Sequence, residues 1–453
     1  MKHSIRIASG QGFWGDLQSA PIRQVRNGPI DYMMMDYLAE VTMSILQKQK
    51  MRDPRLGYAR DLVPLLTEIL PEIVQKNIKV ITNGGGVNPI ACRDAIFAVA
   101  EKLKIKNLKV GVVLGDDILE RIDQFAANGI RLDNMETKQK LDSIRSDVIS
   151  ANVYFGAFPI VEALRQGAQI VITGRTTDTG LTLAPMIHEF GWTDSDWDKL
   201  AAGTVAGHIL ECGGQASGGN FSGDWKSVPD LAHIGFPIAE ARPDGTFTIT
   251  KHDGSGGLVS SATVKEQLLY EIGDPTNYIT PDCVADFTTI QLSDTVLSRV
   301  DVSGVKGKRA TDFYKVSMSY FDGYTAFGTL TYAWPDALEK ASKADEILRV
   351  RLSDLHLKFE EIRTEFLGYD SCFGPLAKNS ENMNEVVMRV GVRSRDKESI
   401  DRFSKEIAPL ILTGPPSVTG FAGGRPKPSE VIAYWPALIP KSAVTPRVIV
   451  EKH

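Results

Sequence analysis

Short, evenly apolar runs alternate with longer stretches of helical spacing over roughly the first 190 residues. Residues 168–172 are too uniformly apolar to keep one face in water and predict a strand covered on both faces; 108–113 reads as another buried strand, and 4–8 and 78–82 as further strands. Between them, apolar positions recur at intervals of three and four over residues 36–47, 62–75, 91–103 and 118–125, which predicts helices. This alternation predicts an α/β fold, a mostly parallel sheet with helices on both faces. Residues 236–240 and 246–250 flank Arg242-Pro243-Asp244-Gly245 and predict a hairpin that carries Lys251, His252 and the loop Gly254-Ser255-Gly256-Gly257 to one tip.

From about residue 286 the pattern changes. Strand candidates at 314–320, 324–332, 361–366 and 385–391 surround long amphipathic stretches at 335–355 and 397–412. The expectation is a smaller C-terminal α+β domain, giving a ligand-binding domain over 1–285 and a second domain over 286–453. Its tail, with Thr413-Gly414-Pro415-Pro416 and Phe421-Ala422-Gly423-Gly424-Arg425-Pro426, holds too much glycine and proline for regular structure and is expected to cover a crevice or an interface. Tyr324, Tyr332, Trp334 and Trp435 supply aromatic surface of the kind interfaces favour, so a homo-oligomer built through this domain is expected.

Composition narrows the class. With 453 residues, 43% hydrophobic and 24% charged, the chain has ample core for two or three soluble domains. A net charge of -5 with no Lys/Arg stripe argues against nucleic acid, and no apolar run approaches the roughly 18 residues of a membrane span. Met1-Lys2-His3 leads straight into a strand, so no signal peptide and a cytoplasmic location are expected. The four cysteines, Cys92, Cys212, Cys283 and Cys372, stand far apart without a CxxC pair, which speaks against a disulfide framework or a structural zinc site.

The chemistry concentrates between residues 152 and 224. The strand at 168–172 ends in Thr173-Gly174-Arg175-Thr176-Thr177-Asp178, which places Arg175 where a strand's carboxyl end meets a helix's amino end, a place suited to anions. Arg175 either clamps a carboxylate or phosphate or pairs locally with Asp178. Two other apolar runs end in glycine-rich turns, Ser9-Gly10-Gln11-Gly12 and Asn83-Gly84-Gly85-Gly86, whose amides could face one crevice. Neither is a dinucleotide fingerprint or a Walker loop. The expected substrate contacts are therefore Gly10, Gly12, Asn83, Gly84, Gly85, Gly86, Arg175, Thr176, Asp178 and Asn220. Further along, His208, Glu211 and Cys212 share one helix face by their spacing of three and four. His208 with Glu211 is the expected acid–base pair, with Lys251 or His252 as a second acid. A divalent metal on His208, Glu211 and Asp178 or Asp224, or a Cys212 nucleophile activated by His208, are the other arrangements these residues allow. No cofactor is firmly implied.

Gly12-Phe13-Trp14-Gly15-Asp16, Asn83-Gly84-Gly85-Gly86-Val87-Asn88-Pro89, Gly156-Ala157-Phe158-Pro159, Thr173-Gly174-Arg175-Thr176-Thr177-Asp178 and Gly207-His208-Ile209-Leu210-Glu211-Cys212-Gly213, taken in order, resemble the acyclic terpene utilisation (AtuA-like) family. The resemblance covers nearly the whole chain. It implies a place in the breakdown of branched acyclic acids or their CoA thioesters, and related two-component members imply a hydratase. Long relatives carry a further C-terminal ferredoxin-like segment, so the resemblance also implies a separate small partner protein. The expected function is a hydro-lyase acting on a branched carboxylate or its CoA thioester. The alternatives are a non-catalytic acyl-CoA-binding or assembly subunit, and a cysteine-dependent thioester hydrolase or acyl transferase.

Overall fold

A ten-stranded sheet organises the larger of two units in a computed structural model that describes residues 2–378, 383–420 and 424–453. Its strands are Ile5–Gln11 (β1), Tyr32–Met35 (β2), Lys79–Thr82 (β3), Lys109–Leu114 (β4), Ile170–Thr173 (β5), Ile238–Ala241 (β6), Phe247–Thr250 (β7), Gln291–Val296 (β8), Arg299–Ser303 (β9) and Arg447–Lys452 (β10). Their order across the sheet is β8-β9-β7-β6-β1-β2-β3-β5-β4-β10. The central strands β1, β2, β3, β5 and β4 pair in parallel. Beyond β1 the strands β6, β7, β9 and β8 continue the sheet antiparallel, and β10 closes the other side antiparallel to β4.

The sheet is thus mixed, and the expected mostly parallel sheet with helices on both faces is not what forms. The reason is that strands joined by tight turns can only return antiparallel. The Arg242-Pro243-Asp244-Gly245 turn does join β6 to β7, but nothing local to that hairpin says that it docks against β1. Tyr32-Met33-Met34-Met35 lacks the β-branched residues that mark strands, and so β2 reads as loop while residue 36 reads as a helix start. The helix there begins later, at Glu40–Arg52.

The parallel centre is dry. All four residues of β2 are buried, and Met33 and Met35 pack with Ala8, Val80, Ile170 and Ile172 from neighbouring strands. The helix Leu62–Gln75 lays Leu66, Ile69, Leu70 and Ile73 on that cluster, the face its apolar spacing predicts.

The smaller unit spans residues 320–433. It takes the strand Phe313–Ala333 from Tyr320 onward, then helix Ala337–Asp354, strands Glu361–Leu367 and Glu385–Ser394, helix Lys397–Ile407 and the short strand Val418–Thr419. This β-α-β-β-α-β order makes an antiparallel sheet in which Glu385–Ser394 lies between Glu361–Leu367 and Phe313–Ala333. Leu348, Leu352, Ile400 and Phe403 from the two helices pack on Leu330, Met388 and Val390.

Four sequence expectations shift here. The two strands read at 314–320 and 324–332 are one 21-residue strand. Residues 286–319, placed at sequence level in the second domain, belong to the larger unit, where β9 pairs with β7. Tyr332 and Trp435 are core residues, whereas Trp334 is 62% exposed. The tail forms the strands Ser429–Pro440 and β10, while Phe421, Ala422 and Gly423 lie outside the described residues. No helix among the described residues is long and apolar enough to cross a membrane.

Candidate active site

A crevice of about 440 Å³ opens beyond the carboxyl ends of the parallel strands. Its lining comes from the turn after β1 (Gly12, Phe13), the segment after β2 (Asp36, Leu38, Ala39), the turn after β5 (Arg175, Asp178), and two later stretches (Glu211, Cys212, Gln215 and Tyr270, Glu271). Parallel sheets place their ligand sites at this edge. Five of the residues expected from sequence, Gly12, Arg175, Asp178, Glu211 and Cys212, come together in it.

Helix Trp197–Leu210 carries His208 and leads into Glu211. It is buried from Leu200 to Leu210, so close neighbours require small residues: a Cβ on Gly207 would sit 2.5 Å from the Thr179 carbonyl oxygen. His208 lies in its last turn, 1% exposed, and Glu211 follows as the first residue past the helix. His208 Nδ1 is 2.8 Å from Glu211 Oε1, and His208 Nε2 is 3.1 Å from the Gln267 carbonyl oxygen. A carbonyl only accepts, so Nε2 carries a hydrogen. Nδ1 meets the carboxylate as a close polar contact, without the alignment of a hydrogen bond. Burial pulls the imidazole pKa down, but the Glu211 carboxylate outweighs it and raises the value above the ordinary histidine range. The helix's carboxyl end favours the same charged form. His208 does not line the crevice; it packs its imidazole against Glu211, which does.

Asp36 is a crevice carboxyl that the sequence did not single out. It is 4% exposed and faces the crevice, and burial pushes its carboxyl up to about 6, with Asn83 and Arg175 opposing and Glu211 adding to the rise. Its Oδ1 accepts from Asn83 Nδ2 (2.6 Å) and from the Leu38 amide (3.1 Å). An acid directly after a buried apolar run, at the carboxyl end of a strand, was the available signal, obscured because β2 itself went unread. Tyr270, Glu271 and Gln215 carried no pattern at all.

The glycine turns serve this arrangement from behind. Gly12 brings the turn after β1 against the Glu211–Gly213 backbone, where a Cβ would lie 2.8 Å from the Gly213 nitrogen. Its amide donates to Asp16 Oδ2, the Gly84 amide to Thr82 Oγ1 and the Gly86 amide to the Asn83 carbonyl. These donors are engaged within the protein instead of lining the crevice. Gly10 lies within β1 against Met33 and Met35, and Gly85 lets the turn after β3 approach the Thr173 carbonyl, where a Cβ would stand 2.6 Å away.

Arg175 is 2% exposed and locked in place. Its guanidinium donates to the Leu38 carbonyl (2.7 Å), Asp178 Oδ1 (3.1 Å) and the Tyr154 hydroxyl (2.8 Å), and lies 4.2 Å from the Tyr154 ring centre. Its own amide donates to Asp116, whose buried carboxyl is pushed up to about 7. The local Arg175–Asp178 pair is therefore present. With Asp36, Asp178, Glu211 and Glu271 against one arginine, the crevice is acidic and does not form the anion clamp that the turn alone suggested.

Other expected residues lie apart. Lys251 donates to the Ser255 carbonyl, and His252 Nε2 meets the Gln24 carbonyl at 3.1 Å; neither lines the crevice, because both follow the end of β7 and not a turn beyond the parallel strands. Thr176 is buried and donates to the Phe155 carbonyl, and Asn220 is exposed at positive φ, away from the lining. Burial pushes the Cys212 thiol up to about 12, so the sulfur faces the crevice as a thiol. No three His, Cys, Asp or Glu side chains among the described residues gather into a group that could hold a metal ion, so His208, Glu211 and Asp178 or Asp224 do not form one.

Comparison with known proteins gives one match. Residues 5–450 fit the family described as acyclic terpene utilisation family protein AtuA. No curated protein and no solved structure matches the chain.

Proposed function

The chain belongs to the acyclic terpene utilisation family, which points to a catabolic role, and from that premise we propose that it is a hydro-lyase acting on a branched, unsaturated acyl thioester. The observation that carries this reading is the His208–Glu211 pair at 2.8 Å, facing a crevice that also holds the Asp36 carboxyl near neutral titration. Hydration of a carbon–carbon double bond next to a carbonyl needs one group to take a proton from water as its oxygen attacks Cβ. It needs a second group to give a proton to Cα. Glu211, held by His208, is the base; Asp36, titrating close to the operating pH, is the acid. In the reverse direction the two exchange roles.

Arg175 supplies positive charge at the crevice wall, where the carbonyl oxygen gains negative charge in the transition state. An acidic lining disfavours a free carboxylate at the reacting end, and so a neutral thioester carbonyl, as in a CoA ester, suits it better. The thiol route is disfavoured because a Cys212 pushed up to about 12 is almost wholly protonated at neutral pH. The test is incubation with 3-methylbut-2-enoyl-CoA in ¹⁸O-labelled water, followed by mass spectrometry. Labelled 3-hydroxy product supports the reading, whereas free CoA as the sole product assigns the protein to thioester hydrolysis.

A further inference from the structure

A second chamber of about 410 Å³ adjoins the crevice and shares Arg175 and Asp178 with it. Its volume falls within the roughly 300–1,000 Å³ of small-molecule pockets. Ile279, Phe313 and Leu438 form part of its wall and are 62, 47 and 41% exposed. Large apolar side chains scattered singly over a surface need no explanation, but three at one cavity hold apolar surface in water that a ligand can cover.

The charged groups of this wall are already engaged. Arg175 Nη1 lies 3.1 Å from Asp178 Oδ1, an ion pair within the chamber, and the same guanidinium donates to the Leu38 carbonyl and the Tyr154 hydroxyl. Lys315 is engaged within the protein as well, its ammonium 5.1 Å from the Tyr154 ring centre and 5.5 Å from that of Tyr434. The Thr280 and Thr311 hydroxyls donate to the Cys283 and Phe313 carbonyls. A charged ligand entering here loses hydration and meets no free counter-charge, whereas an uncharged one gives up only apolar surface to the wall.

We propose that this chamber binds an uncharged aliphatic molecule, its hydrocarbon chain against Ile279, Phe313 and Leu438. The site goes beyond the reaction assigned to the crevice and does not depend on it. The two cavities differ in kind: the crevice sets four carboxyls against one arginine, while the chamber joins exposed apolar side chains to charges that the protein itself engages. Selection here is therefore by apolar area and by the absence of ligand charge, of either sign.

The probe is 1-octanol, titrated into the purified full chain by calorimetry at neutral pH, with octanoate and octylamine as charged molecules of equal chain length. 1-Octanol binds with a stoichiometry of one, and both charged molecules bind roughly tenfold more weakly. Leu438→Trp, which fills the chamber, abolishes binding. Ile279→Asp, at the most exposed of the three apolar positions, keeps the fold and weakens 1-octanol roughly tenfold, with melting curves checking both variants. No binding of 1-octanol by the wild-type protein, equally tight binding of octanoate or octylamine, or binding indifferent to both substitutions in folded protein overturns the proposal.

Discussion

His208 Nδ1 stands 2.8 Å from Glu211 Oε1 across a single helical turn, with the imidazole buried and the carboxylate in the crevice. The imidazole therefore acts through Glu211. Replacing His208 with Phe removes the imidazole beside the carboxylate and leaves Glu211 without that contact. We expect kcat to fall roughly tenfold to 100-fold and the acidic limb of its pH profile to move, with little change in KM. An unmoved pH profile with a simple loss of folded protein would assign His208 a purely structural role.

Arg175 makes three side-chain hydrogen bonds inside the protein and is 2% exposed. Arg175→Ala strips the Leu38 carbonyl, Asp178 and the Tyr154 hydroxyl of a shared partner. The expected loss in unfolding free energy is about 2–4 kcal/mol, the scale of breaking a buried ionic network, measured by urea denaturation. Unchanged stability with lost ligand binding would restore the anion clamp.

Asp36, Asp116 and Asp282 are buried, and burial pushes their carboxyls up to about 6, about 7 and about 6. A carboxyl whose pKa is higher folded than unfolded binds its proton more tightly in the fold, so it favours the fold at low pH and that contribution is lost as pH rises through the folded value. His208, raised for its own reason, has the same sign. The melting temperature should therefore fall between pH 5 and pH 8. Asp116→Asn keeps an acceptor for the Arg175 amide and Asn152 Nδ2 and should flatten the decline, by on the order of 2 kcal/mol at pH 8. A mutant curve parallel to that of the parent would show that Asp116 is ionised in the fold at both ends of the range.

Much of the parallel centre was legible, because β3, β4 and β5 are apolar runs and Leu62–Gln75 is a helix at the positions its spacing predicts. What failed was non-local. The docking of β6 on β1 and of β10 on β4 depends on which strands meet in three dimensions, and β2 is built of methionines that carry no strand preference. The candidate site followed the same division. His208 and Glu211 were visible because a helix fixes neighbours at three residues, while the Asp36–Asn83 bond joins residues 47 apart. The glycine turns were recognised as special, yet their amides turned inward, a matter of backbone hydrogen bonding that residue type does not encode.

Gly12 illustrates what those turns do instead. A Cβ there would meet the Gly213 nitrogen at 2.8 Å and the Cys212 carbonyl carbon at 2.9 Å, both main-chain atoms that cannot swing aside. Gly12→Ala should cost about 1–3 kcal/mol of stability and displace Glu211, so kcat falls more than the melting temperature alone would suggest. A variant with normal stability and normal turnover would show that the two turns separate without consequence.

The central claim is that Glu211 moves the proton. Glu211→Gln keeps the size of the side chain and removes its ability to take a proton. Its kcat for hydration of 3-methylbut-2-enoyl-CoA should fall roughly 100-fold or more while the dissociation constant for the thioester changes little, and Cys212→Ser should remain close to wild type. Full turnover in Glu211→Gln together with none in Cys212→Ser would contradict the account and assign the chemistry to the thiol.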